Sequence, residues 1–278
     1  MNHFKNKTVV ITGAASGIGR GMVHGFANAG ANIVLSDIEG KRLREVAAEL
    51  DPSVEILIVE TDVSSSDQVE NLAERTFEAF GECHVICNNA GVAENNLKTW
   101  ELSLDDWDWV LGVNLHGVVN GIRAFVPRML KSERDGHIVN TASIGGLVAG
   151  LALPAYTVSK HAVVALSECL YNDLRRDKAN LGVSVLCPGW INTDIGDSDR
   201  NREAKPVMSA ELQRSKEAFK ESISKGLDPL TVGELVMQGI IDKRFYLYTH
   251  PHWNNAIEDR FRHILAGESP ASTYLPRT

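Results

Sequence analysis

Tyr156 and Lys160 stand four residues apart in the run Tyr156-Thr157-Val158-Ser159-Lys160. On a helix that spacing puts both side chains on one face, a turn apart. A free phenol ionises only near pH ~10, so it is a poor base at neutral pH. A neighbouring ammonium favours the phenolate; lowering the pKa by about three units takes roughly 4 kcal/mol of differential stabilisation. A phenol tuned in this way suits proton exchange with an alcohol or a ketone. Tyr-Lys pairs are also common on helix surfaces, so the spacing needs company to carry meaning. Ser143 precedes Tyr156 by thirteen residues and follows a β-branched run. Its hydroxyl is placed to bond a substrate oxygen beside the phenol; the plain alternative is a loop or capping serine. Asn114 falls inside a helix-like segment, where asparagine is unfavourable unless its side chain has work. It either holds a water that links Lys160 to solvent, or marks a helix irregularity or a satisfied buried amide.

A second group of residues suits a dinucleotide. Thr12-Gly13-Ala14-Ala15-Ser16-Gly17-Ile18-Gly19 follows the first strand candidate and opens the first helix candidate. Glycines allow a tight turn and close backbone approach to a pyrophosphate, and the helix N-terminus offers free N–H groups to the anion. The expected contacts are Gly13, Ser16, Gly17, Ile18 and Gly19. Asp37 ends the second strand about 20 residues on, where an acid that binds the adenosine ribose is expected. Its carboxylate would repel a 2′-phosphate, which favours NAD over NADP. No Arg or Lys occupies Ala15, Ser36 or Ile38, and Arg20 is the nearby cation that would reverse the preference. Helix capping near Gly40 is the alternative use for Asp37. Asp62-Val63 suits contact with the adenine, or else a turn into a helix capped by Ser64 with Asp67 in the capping-box position. Asn88-Asn89-Ala90-Gly91 combines small residues for close cofactor approach with amides able to tie strand ends together. His250 and His252 lack carboxylate or thiol neighbours, and no metal is expected.

The elements that must position these residues alternate. Strand candidates are Thr8–Thr12, Asn32–Ser36, Val54–Glu60, His84–Asn88, His137–Thr141, Val183–Cys187 and Phe245–Thr249. Several are almost wholly apolar, as strands buried on both faces are. Between them lie the amphipathic segments Ile18–Ala29, Lys41–Leu50, Ser65–Phe80, Leu104–Leu130, Ala155–Ala179 and Thr231–Asp242. Repeated β-α units with right-handed crossovers predict an α/β fold, a doubly wound Rossmann-type parallel sheet with helices on both faces. The charge-dense stretch from Asp194 to Gly226 interrupts the pattern and reads as a lid or disordered loop, with a helix possible over Ser209–Lys225. A polar and aromatic extension follows from His250 to Thr278, with a short helix over Asn254–Leu265.

The chain has 278 residues, 44% hydrophobic and 23% charged, which suits a soluble protein with a sizeable core. The net charge of -8 makes nucleic acid and anionic membrane poor partners. Cys83, Cys87, Cys169 and Cys187 form no C-x-x-C pair and read as reduced core thiols. The early apolar run Val9-Val10-Ile11 is too short for a signal peptide and no later run spans a membrane, so a cytoplasmic enzyme is expected.

Together these motifs resemble the short-chain dehydrogenase/reductase family. The resemblance rests on Thr12–Gly19, Asp62–Val63, Asn88–Gly91, Asn114, Ser143, Tyr156–Lys160 and Pro188-Gly189-Trp190-Ile191-Asn192-Thr193. It implies a single Rossmann-type domain with a seven-stranded parallel sheet and a catalytic tetrad of Asn114, Ser143, Tyr156 and Lys160. It further implies that Lys160 holds the nicotinamide ribose and that Ile191 and Thr193 contact the carboxamide. Asn89, Ala90, Gly91, Pro188 and Gly189 complete the expected cofactor site. The segment after Thr193 would close over substrate, and the protein would be a homodimer or homotetramer joined through the helices that carry Asn114 and Tyr156. The apolar stretch Leu147-Val148-Ala149-Gly150-Leu151-Ala152-Leu153 and Trp190 suggest a hydrophobic or aryl substrate, and Phe245–Trp253 resembles the tail of bacterial members acting on bulky aromatic alcohols. The expected function is NAD-linked interconversion of a secondary alcohol and a ketone. The alternatives are an NADPH-dependent carbonyl reductase and a cofactor-binding regulator without turnover.

Overall fold

Alternation along the first strand sets the layering. In β1 (Thr8–Thr12), Val9 and Ile11 pack into one apolar layer and Val10 into another. Side chains alternate across a strand, so a strand apolar at every position must be covered on both faces. β2 (Asn32–Asp37) repeats the arrangement, with Ile33 and Leu35 in one layer and Val34 in the other. The computed structural model describes residues 3–150, 152–202 and 208–271. Its remaining strands are β3 (Ile56–Glu60), β4 (Val85–Asn88), β5 (Gly136–Thr141), β6 (Leu181–Cys187) and β7 (Tyr246–Tyr248). All pairings are parallel, in the order β3-β2-β1-β4-β5-β6-β7. This is the doubly wound α/β sheet expected from the sequence. Its order reverses between β1 and β4, where strand ends part and a crevice opens.

Helices fill both faces. One layer packs α1 (Gly17–Asn28), α2 (Gly40–Ala48) and α8 (Pro229–Ile241) on the sheet. The other holds α3 (Ser66–Phe80), α5 (Gly117–Lys131) and α6 (Pro154–Arg176). α4 (Leu104–Leu111), α7 (Ala210–Ser224) and α9 (Asn254–Ala266) lie outside this frame. α1 and α8 nearly touch backbone to backbone: a Cβ on Gly21 would sit 2.1 Å from Pro229 O.

Several expectations shift. The helix expected over Leu104–Leu130 is α4, a π-helical turn at Gly112–His116 and α5. The wider turn places Asn114 inward and brings Gly117 against Val63, where a Cβ would come within 2.7 Å of Val63 Cγ2. The cap of α3 is Ser65 rather than Ser64, because Ser65 Oγ accepts the Gln68 N–H and the helix starts one residue later. β3 starts at Ile56, β4 at Val85 and β7 at Tyr246, each later than expected, while β2 runs on to Asp37. Cys83, Cys87 and Cys187 are buried, but Cys169 is exposed on the outward face of α6. The stretch after Thr193 is ordered as a 3-10 segment, Asp194–Asn201, followed by α7; the charged residues Glu203 and Lys205 lie outside the described residues. Leu147 and Val148 join the core rather than the cavity wall, and Leu151 lies outside the described residues. Trp253 and Ala256 pack on Ile144 and Val148, so the start of the C-terminal extension covers the back of the Ser143 turn.

Candidate active site

A cavity of about 950 Å³ opens at the C-terminal ends of the strands and runs from Asp37 to Trp253. At one end lies the glycine loop. Gly13 and Gly17 have φ of +67° and +50°, the left-handed region that glycine adopts without strain. A Cβ on Gly19 would fall 1.9 Å from Gly13 O, and one on Gly17 would fall 2.8 Å from Thr193 Cγ2. Ser16 precedes α1 without capping it by its side chain, so the helix N-terminus is not closed off by the residue best placed to do so. Gly13, Ser16, Gly17 and Ile18 line the cavity. This bare, glycine-lined helix start fits a pyrophosphate.

Asp37 is bonded on both oxygens: Oδ2 accepts the Ala15 N–H at 3.1 Å and Oδ1 the Glu39 N–H at 3.0 Å. It ties β2 to the glycine loop and does not cap α2, whose N-cap is Glu39. Burial raises its carboxyl above the usual range, opposed by the two N–H bonds and by the positive charge of Arg200. The nearby cations are not the expected one. Arg20 is turned away to Glu49, with bonds of 3.0 and 2.7 Å. Arg42 and Arg200 stand near Asp37 instead, held by Glu39 and Asp194.

Asp62 and Val63 also line the cavity. Asp62 Oδ1 accepts from the N–H and the hydroxyl of Ser64 at 2.9 and 2.7 Å. Asn88 Nδ2 donates to Asn140 Oδ1 at 2.9 Å and joins β4 to β5. Asn89 Nδ2 donates to Thr12 O at 3.0 Å, and Asn89 Oδ1 accepts from Thr141 Oγ1 at 3.2 Å. Asn89, Ala90 and Gly91 therefore form the cavity floor at the point where the strand order reverses.

Ser143, Tyr156 and Lys160 meet at the other end. The Tyr156 phenol is hydrogen-bonded to Ser143, which lowers its pKa, but loss of water pushes it up to about 12, with Glu94 and Cys187 adding to the rise. Lys160 lies with Nζ 5.5 Å from the centre of the Tyr156 ring and donates to Thr141 O at 2.9 Å. Burial drives the ammonium down to about 8. The expected depression of the phenol by Lys160 is thus not the outcome here: desolvation of both groups outweighs their attraction. Asn114 is the satisfied buried amide at a helix irregularity, the second of the two uses the sequence left open. Its Oδ1 accepts the Val92 N–H at 2.8 Å, and its Nδ2 donates to Val92 O at 2.9 Å and Ser159 Oγ at 3.1 Å. The amide clamps the loop after β4. It reaches Tyr156 through Ser159, whose hydroxyl donates to Tyr156 O at 2.7 Å.

Pro188, Gly189, Trp190, Ile191 and Thr193 run along the cavity edge. Gly189 N–H donates to Thr249 Oγ1 at 3.0 Å, and Ile191 bridges to Leu227 in parallel. Trp190 meets Phe219 of α7 edge to face, with ring centres 6.0 Å apart. Phe219, Ile223, Leu153 and Trp253 make this end of the cavity apolar. The sequence reading missed Glu94, Glu39, Arg42, Arg200 and Trp253. Each acts through a partner far away in sequence, which no local spacing reports.

The comparisons agree with this geometry. The family model for short chain dehydrogenase matches residues 7–204. A CLA biosynthesis dehydrogenase/reductase of Lactiplantibacillus plantarum is 33% identical over 278 residues, 97% of this chain and 97% of the relative. A C alpha-dehydrogenase of Sphingobium sp. is 31% identical, covering 97% of this chain and 89% of the relative. The crystal structure of a short chain dehydrogenase/reductase from Burkholderia phymatum in complex with NAD superposes with a TM-score of 0.94 at 37% identity, over 100% of both chains. With a nicotinamide-type crevice at the sheet reversal and a Ser-Tyr-Lys cluster beside it, the chain is an oxidoreductase and belongs to the short-chain dehydrogenase family.

Proposed function

We propose that this enzyme uses NAD to interconvert a secondary alcohol and its ketone on a bulky, apolar substrate. The observation that carries the reading is that one continuous cavity joins Asp37 to the Ser143–Tyr156 pair. Asp37 offers carboxylate oxygens to ribose hydroxyls and repels a 2′-phosphate. The NAD complex of the Burkholderia phymatum relative supports the same choice. Trp190, Phe219, Ile223 and Leu153 suit an apolar substrate body.

Nicotinamide, when bound, supplies the hydride acceptor and a positive ring. In the oxidative direction Ser143 would bond the substrate oxygen and Tyr156 would take its proton. The phenol is too basic to be ionised at rest, so added positive charge beside it is what makes it a base near neutrality. Lys160, whose ammonium burial drives down to about 8, would hold the nicotinamide ribose hydroxyls beside the phenol. The 3-10 segment Asp194–Asn201 and α7 serve as the substrate lid, with Phe219 and Ile223 facing the cavity. Leu130 and Val158, exposed on α5 and α6, fit the homodimer or homotetramer that the family pattern implies. The three buried free thiols fit a cytoplasmic location.

A second reading, preference for NADP, gains from Arg42 and Arg200 near Asp37, although both are bonded to acids. Oxidised NAD and NADP should therefore be compared on aromatic, steroidal and aliphatic secondary alcohols, following reduced-nicotinamide absorbance. Higher kcat/KM with NAD is expected. Turnover with NADP alone would overturn the Asp37 argument, and no turnover with any alcohol or matching ketone would overturn the reaction class.

A further inference from the structure

Helix α6 carries both Tyr156 and Lys160, and its N-terminus has an unusual cap. Its own N-cap residue, Leu153, supplies no side-chain acceptor, and Pro154 at the first helical position has no N–H. Thr157 N–H is already bonded to Leu153 O at 2.9 Å. Two orphan donors remain, on Ala155 and Tyr156. Glu94 takes both: Oε1 accepts from Ala155 N at 2.8 Å and Tyr156 N at 3.2 Å, and Oε2 from Tyr156 N at 3.1 Å. Glu94 is only 6% exposed, and it lines the cavity from the loop after β4.

That loop is itself fixed from two sides. Asn114 holds Val92 through both of its backbone groups, and Ser198 Oγ accepts the Ala93 N–H at 3.2 Å. Glu94 is therefore delivered to α6 by the π-helical turn on one side and by the 3-10 segment on the other. Resting on the reading of Tyr156 as the proton-handling group, we propose that Glu94 is its positioning residue: its carboxylate caps the Tyr156 helix from across the cavity, at the turn that carries the phenol.

Titratable groups face this pair from several elements. Lys160 faces Tyr156 from one turn along α6, and Cys187 from β6. Asp106 of α4 faces Glu94 and is itself paired with Arg202 from the far end of the 3-10 segment. Among the described residues no cation bonds Glu94; helix N–H groups are its partners, an arrangement that favours the ionised carboxylate. Burial works the other way and raises its carboxyl above the usual range. Glu94 in turn is among the causes that raise the phenol.

The test uses the full-length enzyme with Glu94→Gln, Glu94→Ala and Tyr156→Phe measured side by side. Glu94→Gln keeps an acceptor for the helix and loses the charge. Its pH profile of kcat/KM for alcohol oxidation should rise at lower pH than the parent's, by roughly 0.5–1 pH unit. Glu94→Ala loses the cap as well, and kcat should fall roughly tenfold while the Kd for NAD stays within twofold. A Glu94→Gln profile that superimposes on the parent, with Tyr156→Phe inactive, overturns this inference and leaves the reading of Tyr156 standing. Near-parent turnover by Tyr156→Phe overturns both. If Glu94→Ala does not fold, the Glu94→Gln profile decides alone.

Discussion

Arg200 and Glu39 are 161 residues apart in sequence and joined by a fork of hydrogen bonds. Arg200 Nε donates to both carboxylate oxygens at 3.2 Å, and Nη2 donates to Oε2 at 2.8 Å. Arg42 adds a bond to Glu39 at 3.3 Å and one to Asp194 at 2.6 Å. The segment that follows β6 is thereby latched to the start of α2, beside the Asp37 carboxylate. The same 3-10 segment also lines the cavity through Asp194, Ile195, Gly196 and Ser198. Arg200→Ala should weaken NAD binding by about fivefold, near 1 kcal/mol for a forked, half-screened pair. A fluorescence titration reads this directly. The double variant with Glu39→Ala should cost no more than either single change; strictly additive losses would show that the two residues act separately.

On the proposed reading, the Asp37 carboxylate is what disfavours NADP. Asp37→Ser removes the charge opposed to a 2′-phosphate and leaves Arg42 and Arg200 in place. The ratio of kcat/KM for NAD to that for NADP should fall at least ~10-fold, or about 1.4 kcal/mol. An unchanged ratio would assign the preference to some other residue.

Gly19 is a steric requirement of the loop. A methyl group there would occupy the position of Gly13 O, 1.9 Å from its Cβ. Gly19→Ala must push the loop open, at a cost of roughly 1–3 kcal/mol for overpacking. Both the melting temperature and NAD affinity should drop. A variant with parent stability and parent affinity would mean that the loop relaxes freely.

How far the sequence could be read follows from the range of each interaction. The sheet was legible because its central strands are apolar runs, and burial on both faces leaves that pattern no other home. The glycine loop was legible because its demands on φ and on close approach fall on consecutive residues. Tyr156 and Lys160 were legible as neighbours on one helix face, but not the balance of their charges: that depends on desolvation, which comes from the whole fold. The latch of Arg200 on Glu39 and the cap of α6 by Glu94 were illegible for the same reason. Each joins residues from different strand ends, and neither leaves a periodic trace. The π-helical turn at Gly112–His116 interrupts a helical pattern by one residue, which periodicity absorbs without notice.

Tyr156→Phe removes one oxygen and should keep the ring in place. Turnover should fall by roughly 10³-fold or more, as expected for loss of a positioned proton acceptor. The NAD titration should be almost unchanged, because the ring still packs against the cavity. Loss of NAD binding in parallel would instead assign the phenol a cofactor-holding role.

His137 offers a prediction on stability rather than activity. It lies on β5 with Nε2 at 2.8 Å from Ser184 Oγ, and that hydroxyl donates to Arg244 O at 2.6 Å. Ser184 has therefore spent its proton on the carbonyl, so His137 Nε2 must be the donor in this bond. Burial and the charge of Lys243 push the imidazole down to about 4. An unfolded chain takes up this proton near pH 6.5, whereas the folded chain resists it until near pH 4. Between those values the unfolded state holds the extra proton, so stability is complete above about pH 6.5 and falls as the pH drops through the window. The full loss is about 3 kcal/mol. Urea midpoints measured from pH 7 to pH 4 should fall less steeply for His137→Gln, which keeps a donor toward Ser184 and cannot take up a proton. Parallel slopes for the two proteins would place the acid sensitivity on other groups.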